Sequence, residues 1–111
     1  MDKEKDVFKE LYDTIEDRKI NPAPSSYTNY LFREGIDKIL KKVGEESSEV
    51  IIASKNASKD DIIYEIADLV YHIEVLMSLK GITINDLADE MKKRTNKIGN
   101  KKEEKKLPSF H

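Results

Sequence analysis

The stretch Ser58-Lys59-Asp60-Asp61-Ile62-Ile63-Tyr64-Glu65-Ile66-Ala67-Asp68-Leu69-Val70-Tyr71-His72-Ile73-Glu74-Val75-Leu76-Met77-Ser78-Leu79-Lys80-Gly81 decides the fold class. It opens on Ser-x-x-Asp, a capping-box pattern with the shorter acid, and closes on glycine, the residue that most readily takes the left-handed turn ending a helix. Between these signals Ile62, Ile66, Leu69, Ile73 and Leu76 alternate four and three apart, the spacing of a helix-bundle seam. Ile63, Val70 and Met77 widen the stripe. This helix is therefore expected to be buried on more than one side.

Working outward, the same period governs the flanks. A helix is predicted from about Lys3 to Ile20, with Val7, Phe8, Leu11, Tyr12 and Ile15 on one apolar face. Asn21-Pro22-Ala23-Pro24-Ser25-Ser26 ends it, because proline lacks an amide donor and restricts the residue before it. A second segment, about Thr28 to Asn56, carries Tyr27, Leu31, Phe32, Ile36, Ile39, Leu40 and Val43 in its apolar pattern. Gly35 and Gly44 interrupt it, and Gly44 is read as a bend, a close approach to the backbone or a tolerated packing glycine. After Gly81, Thr83-Ile84-Asn85-Asp86 caps a last helix that carries Ile84, Leu87, Ala88 and Met91 to about Lys97. The expected architecture is all-α, a bundle of four to five helices, with one domain over 1–98 and a charged tail over 99–111.

Composition excludes several classes. The 111 residues suit one domain. There is no cysteine, hence no disulfide framework, no thiolate zinc site and no Cys nucleophile. No apolar run approaches the ~20 residues of a transmembrane helix, and the first six residues, Met1 to Asp6, lack the apolar stretch of a signal peptide. A net charge of −2 exerts no long-range pull on nucleic acid or on a membrane surface. A cytoplasmic protein acting on neither is expected.

The chemistry lies in the acids. At 100° per residue, Glu45, Glu49 and Glu46 fall at about 0°, 40° and 100° on one face of the second segment. On the third, with Ile62 at zero, Glu65 lies at about −60°, His72 at −80° and Asp68 at −120°, flanking the seam instead of opposing it. Packed antiparallel, the two helices would gather five carboxylates near the bundle interior. Desolvated like charges repel, so cations must neutralise them or the helices do not meet there. Hard divalent cations with oxygen ligands, above all Mg²⁺, suit such a set, and Mg²⁺ prefers one or two carboxylates plus a substrate phosphate. A site for a polyphosphate follows. His72, four residues after Asp68, is placed to hydrogen-bond to it, and Lys41 and Lys42, a turn below the acids, are placed to meet phosphate. A solvated acidic face with ordinary lysine–glutamate surface pairs is the alternative.

Three strings carry a resemblance: Ser26-Tyr27-Thr28-x-x-Leu31-Phe32-x-x-Gly35, Ile39-x-Lys41-Lys42-Val43-Gly44-Glu45-Glu46-x-x-Glu49-Val50 and Tyr64-Glu65-Ile66-Ala67-Asp68-Leu69-Val70-Tyr71-His72. Over roughly residues 5 to 94 the chain resembles the phosphoribosyl-ATP pyrophosphatases of histidine biosynthesis, within the wider all-α MazG-like and dUTPase-like nucleotide pyrophosphohydrolases. The Glu-Glu-x-x-Glu and Glu-x-x-Asp pair belongs to the superfamily; the Ser-Tyr-Thr, Lys-Lys-Val-Gly-Glu-Glu and Ala-Asp-Leu-x-Tyr-His strings are more specific. The resemblance implies Mg²⁺-dependent attack of water at the α–β phosphoanhydride of phosphoribosyl-ATP, giving phosphoribosyl-AMP and pyrophosphate. It implies Glu45, Glu46, Glu49, Glu65 and Asp68 as metal-binding and catalytic acids, with Lys41, Lys42, His72, Ser26 and Thr28 matching family positions. Arg94 joins Lys41 and Lys42 as a candidate cation for the additional ribose phosphate. The family's frequent fusion partner, a cyclohydrolase with cysteine zinc ligands, has neither length nor cysteine here, so a stand-alone enzyme handing its product to a separate cyclohydrolase is expected. A homodimer is expected from the superfamily and from the broad stripe on the third segment. Two other readings use the same residues: a house-cleaning pyrophosphohydrolase of (d)NTPs, and a non-catalytic helical dimerisation module.

Overall fold

A computed structural model describes residues 6–99 as five helices. These are α1 (Val7–Ile20), α2 (Tyr27–Glu34), α3 (Ile36–Asn56), α4 (Lys59–Lys80) and α5 (Ile84–Gly99). The all-α bundle is as expected, and no strand occurs among the described residues. The tail from residue 100 onward, and the start of the first predicted helix before residue 6, lie outside them.

Local signals place most ends where the sequence puts them. Ser58 Oγ accepts from the Asp61 amide at 3.3 Å and starts α4; Gly81, at φ 75° and ψ 23°, ends it in the left-handed region. Thr83 and Asp86 exchange hydrogen bonds, Asp86 N–H to Thr83 Oγ1 at 3.0 Å and Thr83 N–H to Asp86 Oδ2 at 2.9 Å, a reciprocal cap ahead of α5. The proline loop is held by buried Asn29, whose side chain accepts from the Ala23 amide and donates to the Arg18 carbonyl, each at 2.8 Å.

The second predicted segment is two helices, not one. It breaks at Gly35, which is the C-cap of α2 and the N-cap of α3 at φ 92° and ψ −172°. That conformation is essentially reserved for glycine. Gly44, by contrast, lies inside an unbroken α3, and a Cβ there would meet no atom within 4 Å. The bend thus falls at the first glycine, and Gly44 is a tolerated one as far as the protein's own atoms are concerned.

The core takes one fully buried side chain from each of the first four helices: Ile15, Leu31, Ile39 and Val75. Leu11, Tyr30, Phe32, Tyr71 and Leu76 pack around them. α3 and α4 form the most extensive pair and run antiparallel across a short Ala57–Ser58 connection. α1 lies along another side of α4 in the same direction, with Phe8 beside Val70 and Lys19 Nζ 3.1 Å from the Ser78 carbonyl. The expected burial of α4 on more than one side is met in its C-terminal half, where His72, Glu74, Val75, Met77 and Ser78 are all buried, but not in its N-terminal half. Val75, outside the predicted seam, is completely buried, whereas Ile63 and Ile66 are 53% and 44% exposed. The packing of α1, α2 and α3 turns the C-terminal half of α4 inward and leaves the apolar N-terminal half uncovered.

That uncovered surface forms two adjoining apolar grooves. One, of about 310 Å³, is lined by residues including Val7, Phe8, Ile63, Ile66 and Val70. The other, of about 460 Å³, runs between α4 and α5 past Ile73, Met77, Leu87 and Met91. Its wall holds Glu74, 3% exposed, with Oε1 lacking any hydrogen-bond partner. Burial pushes this carboxyl from 4.5 up to about 7. The folded state therefore keeps a proton that the unfolded chain releases, and stability falls as pH rises from about 4.5 to about 7, the full penalty being present above that. Replacing Glu74 by methionine should raise the free energy of unfolding at pH 8, by on the order of 2 kcal/mol, and flatten the decline expected in the wild type between pH 5 and 7. Parallel pH profiles of chemical denaturation for the two proteins check this; superimposable profiles would contradict it.

Candidate active site

Antiparallel packing of α3 on α4 brings the acids of the two helices face to face. One carboxylate oxygen each from Glu46 and Asp68 and one ring nitrogen of His72 lie within 4.8 Å of one another. Glu46 is 8% exposed, a depth at which an ionised carboxylate needs partners. Lys42, one turn earlier, supplies one: its Nζ stands 3.3 Å from Glu46 Oε2 and 3.4 Å from Glu45 Oε1. Burial pulls the Lys42 ammonium down, but Tyr27, Glu46 and Glu45 outweigh it and the net movement is upward.

A turn further along, Glu49 faces Glu65. Burial and then the charges of Glu49, Glu46, Asp68 and Asp61 raise the Glu65 carboxyl above the usual range. Glu65 thus stands within reach of Glu49, Glu46 and Asp68, whereas Glu45 stands at the rim, paired with Lys42 and, at 4.0 Å, with exposed Lys41.

His72 is 3% exposed and bonded on both nitrogens. Nδ1 lies 2.8 Å from the backbone carbonyl oxygen of Asp68 and 3.4 Å from its carboxylate Oδ1. The hydrogen bond anticipated from the four-residue spacing thus goes chiefly to the Asp68 main chain. Nε2 lies 3.0 Å from the Tyr27 hydroxyl. Both nitrogens are thus engaged within the protein. Tyr27, counted above only as part of an apolar stripe, is 44% exposed and joins Tyr30, Tyr71 and His72 in an aromatic cluster, with its ring stacked on Tyr30 at 5.9 Å. Its role was readable only in the Ser-Tyr-Thr string, because its partner lies 45 residues away.

The other candidates are placed as follows. The Ser26 hydroxyl accepts from the Asn29 amide at 3.1 Å as the N-cap of α2. Thr28 Oγ1 is hydrogen-bonded to the Tyr71 hydroxyl. Arg94, on α5, pairs with Glu90 at 3.3 Å. The α4 residues that face α5, Val70, Ile73, Glu74 and Met77, lie roughly opposite Glu65, Asp68 and His72 around the helix axis. The fold does not bring Arg94 to the acids of its own chain.

The family described as PRA-PH, phosphoribosyl-ATP pyrophosphohydrolase, matches residues 8–95. The chain belongs to this family. A phosphoribosyl-ATP pyrophosphatase of Clostridium novyi (strain NT) is 56% identical over 91% of this chain and 92% of its own length. One from Clostridium acetobutylicum is 57% identical over 96% of both. The histidine biosynthesis bifunctional protein HisIE of Caldanaerobacter subterraneus subsp. tengcongensis is 59% identical over 83% of this chain, which spans 45% of that longer relative. Every acid, lysine and histidine of the α3–α4 site lies inside the matched region of this family.

Proposed function

We propose that the chain hydrolyses phosphoribosyl-ATP to phosphoribosyl-AMP and pyrophosphate, the second step of histidine biosynthesis, with water attacking the α–β phosphoanhydride. The observation that carries this reading is the meeting of Glu46 and Asp68 across the α3–α4 pair, in a chain of the phosphoribosyl-ATP pyrophosphohydrolase family.

The acids present an all-oxygen donor set, partly withdrawn from water and mutually repelling, which suits Mg²⁺. Glu46, Glu49, Glu65 and Asp68 would hold the ion or ions, with Glu45 at the rim. When bound, Mg²⁺ supplies charge neutralisation for the polyphosphate. The chain's own groups do the rest. The carboxylates orient the attacking water, and Lys42, released from Glu45 and Glu46, meets phosphate oxygens, with Lys41 beside it. The short helix α2 closes one side of the site with Tyr27 and the hydroxyls that follow the proline loop.

The reading extends to assembly and context. A second copy covers the apolar face of α1, α4 and α5, where Phe8, Ile63, Ile66, Leu87 and Met91 are each exposed by more than two fifths. In such a homodimer Arg94 would reach an acid site only from the other copy. The enzyme works in the cytoplasm, and a cyclohydrolase activity takes its product.

The test is pyrophosphate release with Mg²⁺ from phosphoribosyl-ATP, ATP and dUTP. Release from phosphoribosyl-ATP alone is expected, falling at least ~100-fold in Glu46→Gln. Equal release from the other nucleotides, or an unimpaired variant, would overturn the assignment. For assembly, sedimentation should give twice the 12.8 kDa chain mass for the wild type and a monomer for Ile66→Glu. A monomeric wild type at micromolar concentration would remove the dimer.

A further inference from the structure

The Tyr27–His72 contact links α2 to the acid-bearing face of α4 beside the Thr28–Tyr71 hydrogen bond, and its direction is fixed by what lies on the other side of the ring. A backbone carbonyl only accepts. Nδ1, 2.8 Å from the Asp68 carbonyl oxygen, must therefore carry the proton. In the neutral ring Nε2 is then the acceptor, and the Tyr27 hydroxyl, 3.0 Å away, is the donor. The opposite tautomer would turn a lone pair toward two oxygens of Asp68, the carbonyl and Oδ1, at 2.8 and 3.4 Å.

We propose that Tyr27 is a positioning residue of the active site: the Asp68 carbonyl sets His72 as the Nδ1–H tautomer, and the Tyr27 hydroxyl, donating to Nε2, holds that ring in place so that Nδ1–H stays turned toward the Asp68 carboxylate as well. The inference rests on the function proposed above. Three observations support it. The ring of His72 is almost completely buried, so no solvent competes for Nε2. The Tyr27 ring makes edge contact with His72, centroids 5.7 Å apart at 79°, and Tyr71 does the same from another side at 4.9 Å and 81°, which hold the imidazole plane. The Tyr27 hydroxyl also senses the site directly: burial raises its pKa, Lys42 opposes this, and Tyr71, Asp68 and Glu46 add to it. Carboxylates that hold a cation are themselves oriented by neighbouring polar groups, and the His72 ring, with Nδ1 3.4 Å from Asp68 Oδ1, is such a neighbour.

Two readouts on the full chain test this. In ¹⁵N spectra of the wild type at about pH 8, His72 should show a protonated Nδ1 and an unprotonated Nε2; a proton on Nε2 would overturn the proposal. In steady-state kinetics with phosphoribosyl-ATP and Mg²⁺, Tyr27→Phe, which keeps the ring packing, should lower kcat about tenfold with KM within about twofold. An unchanged kcat, or a loss confined to KM, would overturn it. Should Tyr27→Phe fail to fold, the wild-type Nε2 shift decides: the value of a free lone pair, without the upfield displacement that a hydrogen-bond donor causes, would overturn the proposal. Should the wild type prove inactive on phosphoribosyl-ATP, the functional reading fails while the spectrum still decides the tautomer.

Discussion

The antiparallel contact of α3 with α4 is the constraint on which the rest depends. It sets acids of both helices against each other at the edge of an apolar core, with Glu46 on one side and Asp68 on the other inside a 4.8 Å cluster. Packing energy from Ile39, Val75 and their neighbours must hold the helices together against that repulsion. Lys42 offsets part of it from within the chain. What remains is recorded in Glu65, whose carboxyl is raised by burial and by three acids of the site.

The other helices serve this pair. α1 covers a second side of α4 and α2 caps the open end of the α3–α4 groove. Gly35 makes the latter possible: a 92° φ lets the chain turn between Glu34 and Ile36 without a connecting loop, so Tyr27 at the start of α2 reaches back to His72. α5 lies on the far side of α4, away from the acids, where with α1 it frames apolar grooves instead of a second polar site. One helix thus presents chemistry on one face and adhesive surface on the other.

Much of this was legible in the sequence, and the failures have physical causes. Helix periodicity and caps gave α1, α4 and α5 because those signals are local. The i, i+3 acids could be placed on two facing helices because helical geometry is rigid. The break at Gly35 was not separable from a tolerated glycine, since an interior glycine costs only ~1 kcal/mol and the deciding dihedral is set by tertiary packing. The seam on α4 misplaced Ile66 and missed Val75, because periodicity reports a helix's apolar face but not which neighbour covers it. Tyr27 looked apolar because its polar partner is distant in the chain. Nothing local in the sequence sets Glu74 apart from the other acids, and its burial is visible only with α5 in place.

The central claim is that the facing acids form a divalent-cation site. Thermal unfolding of the wild type and of Glu46→Gln/Asp68→Asn, each with and without millimolar Mg²⁺, tests it without reference to substrate. Mg²⁺ at about a hundred times its Kd should raise the wild-type Tm by roughly 10–20 °C and leave the double variant unmoved. Equal shifts in both proteins, or none in the wild type, would contradict it.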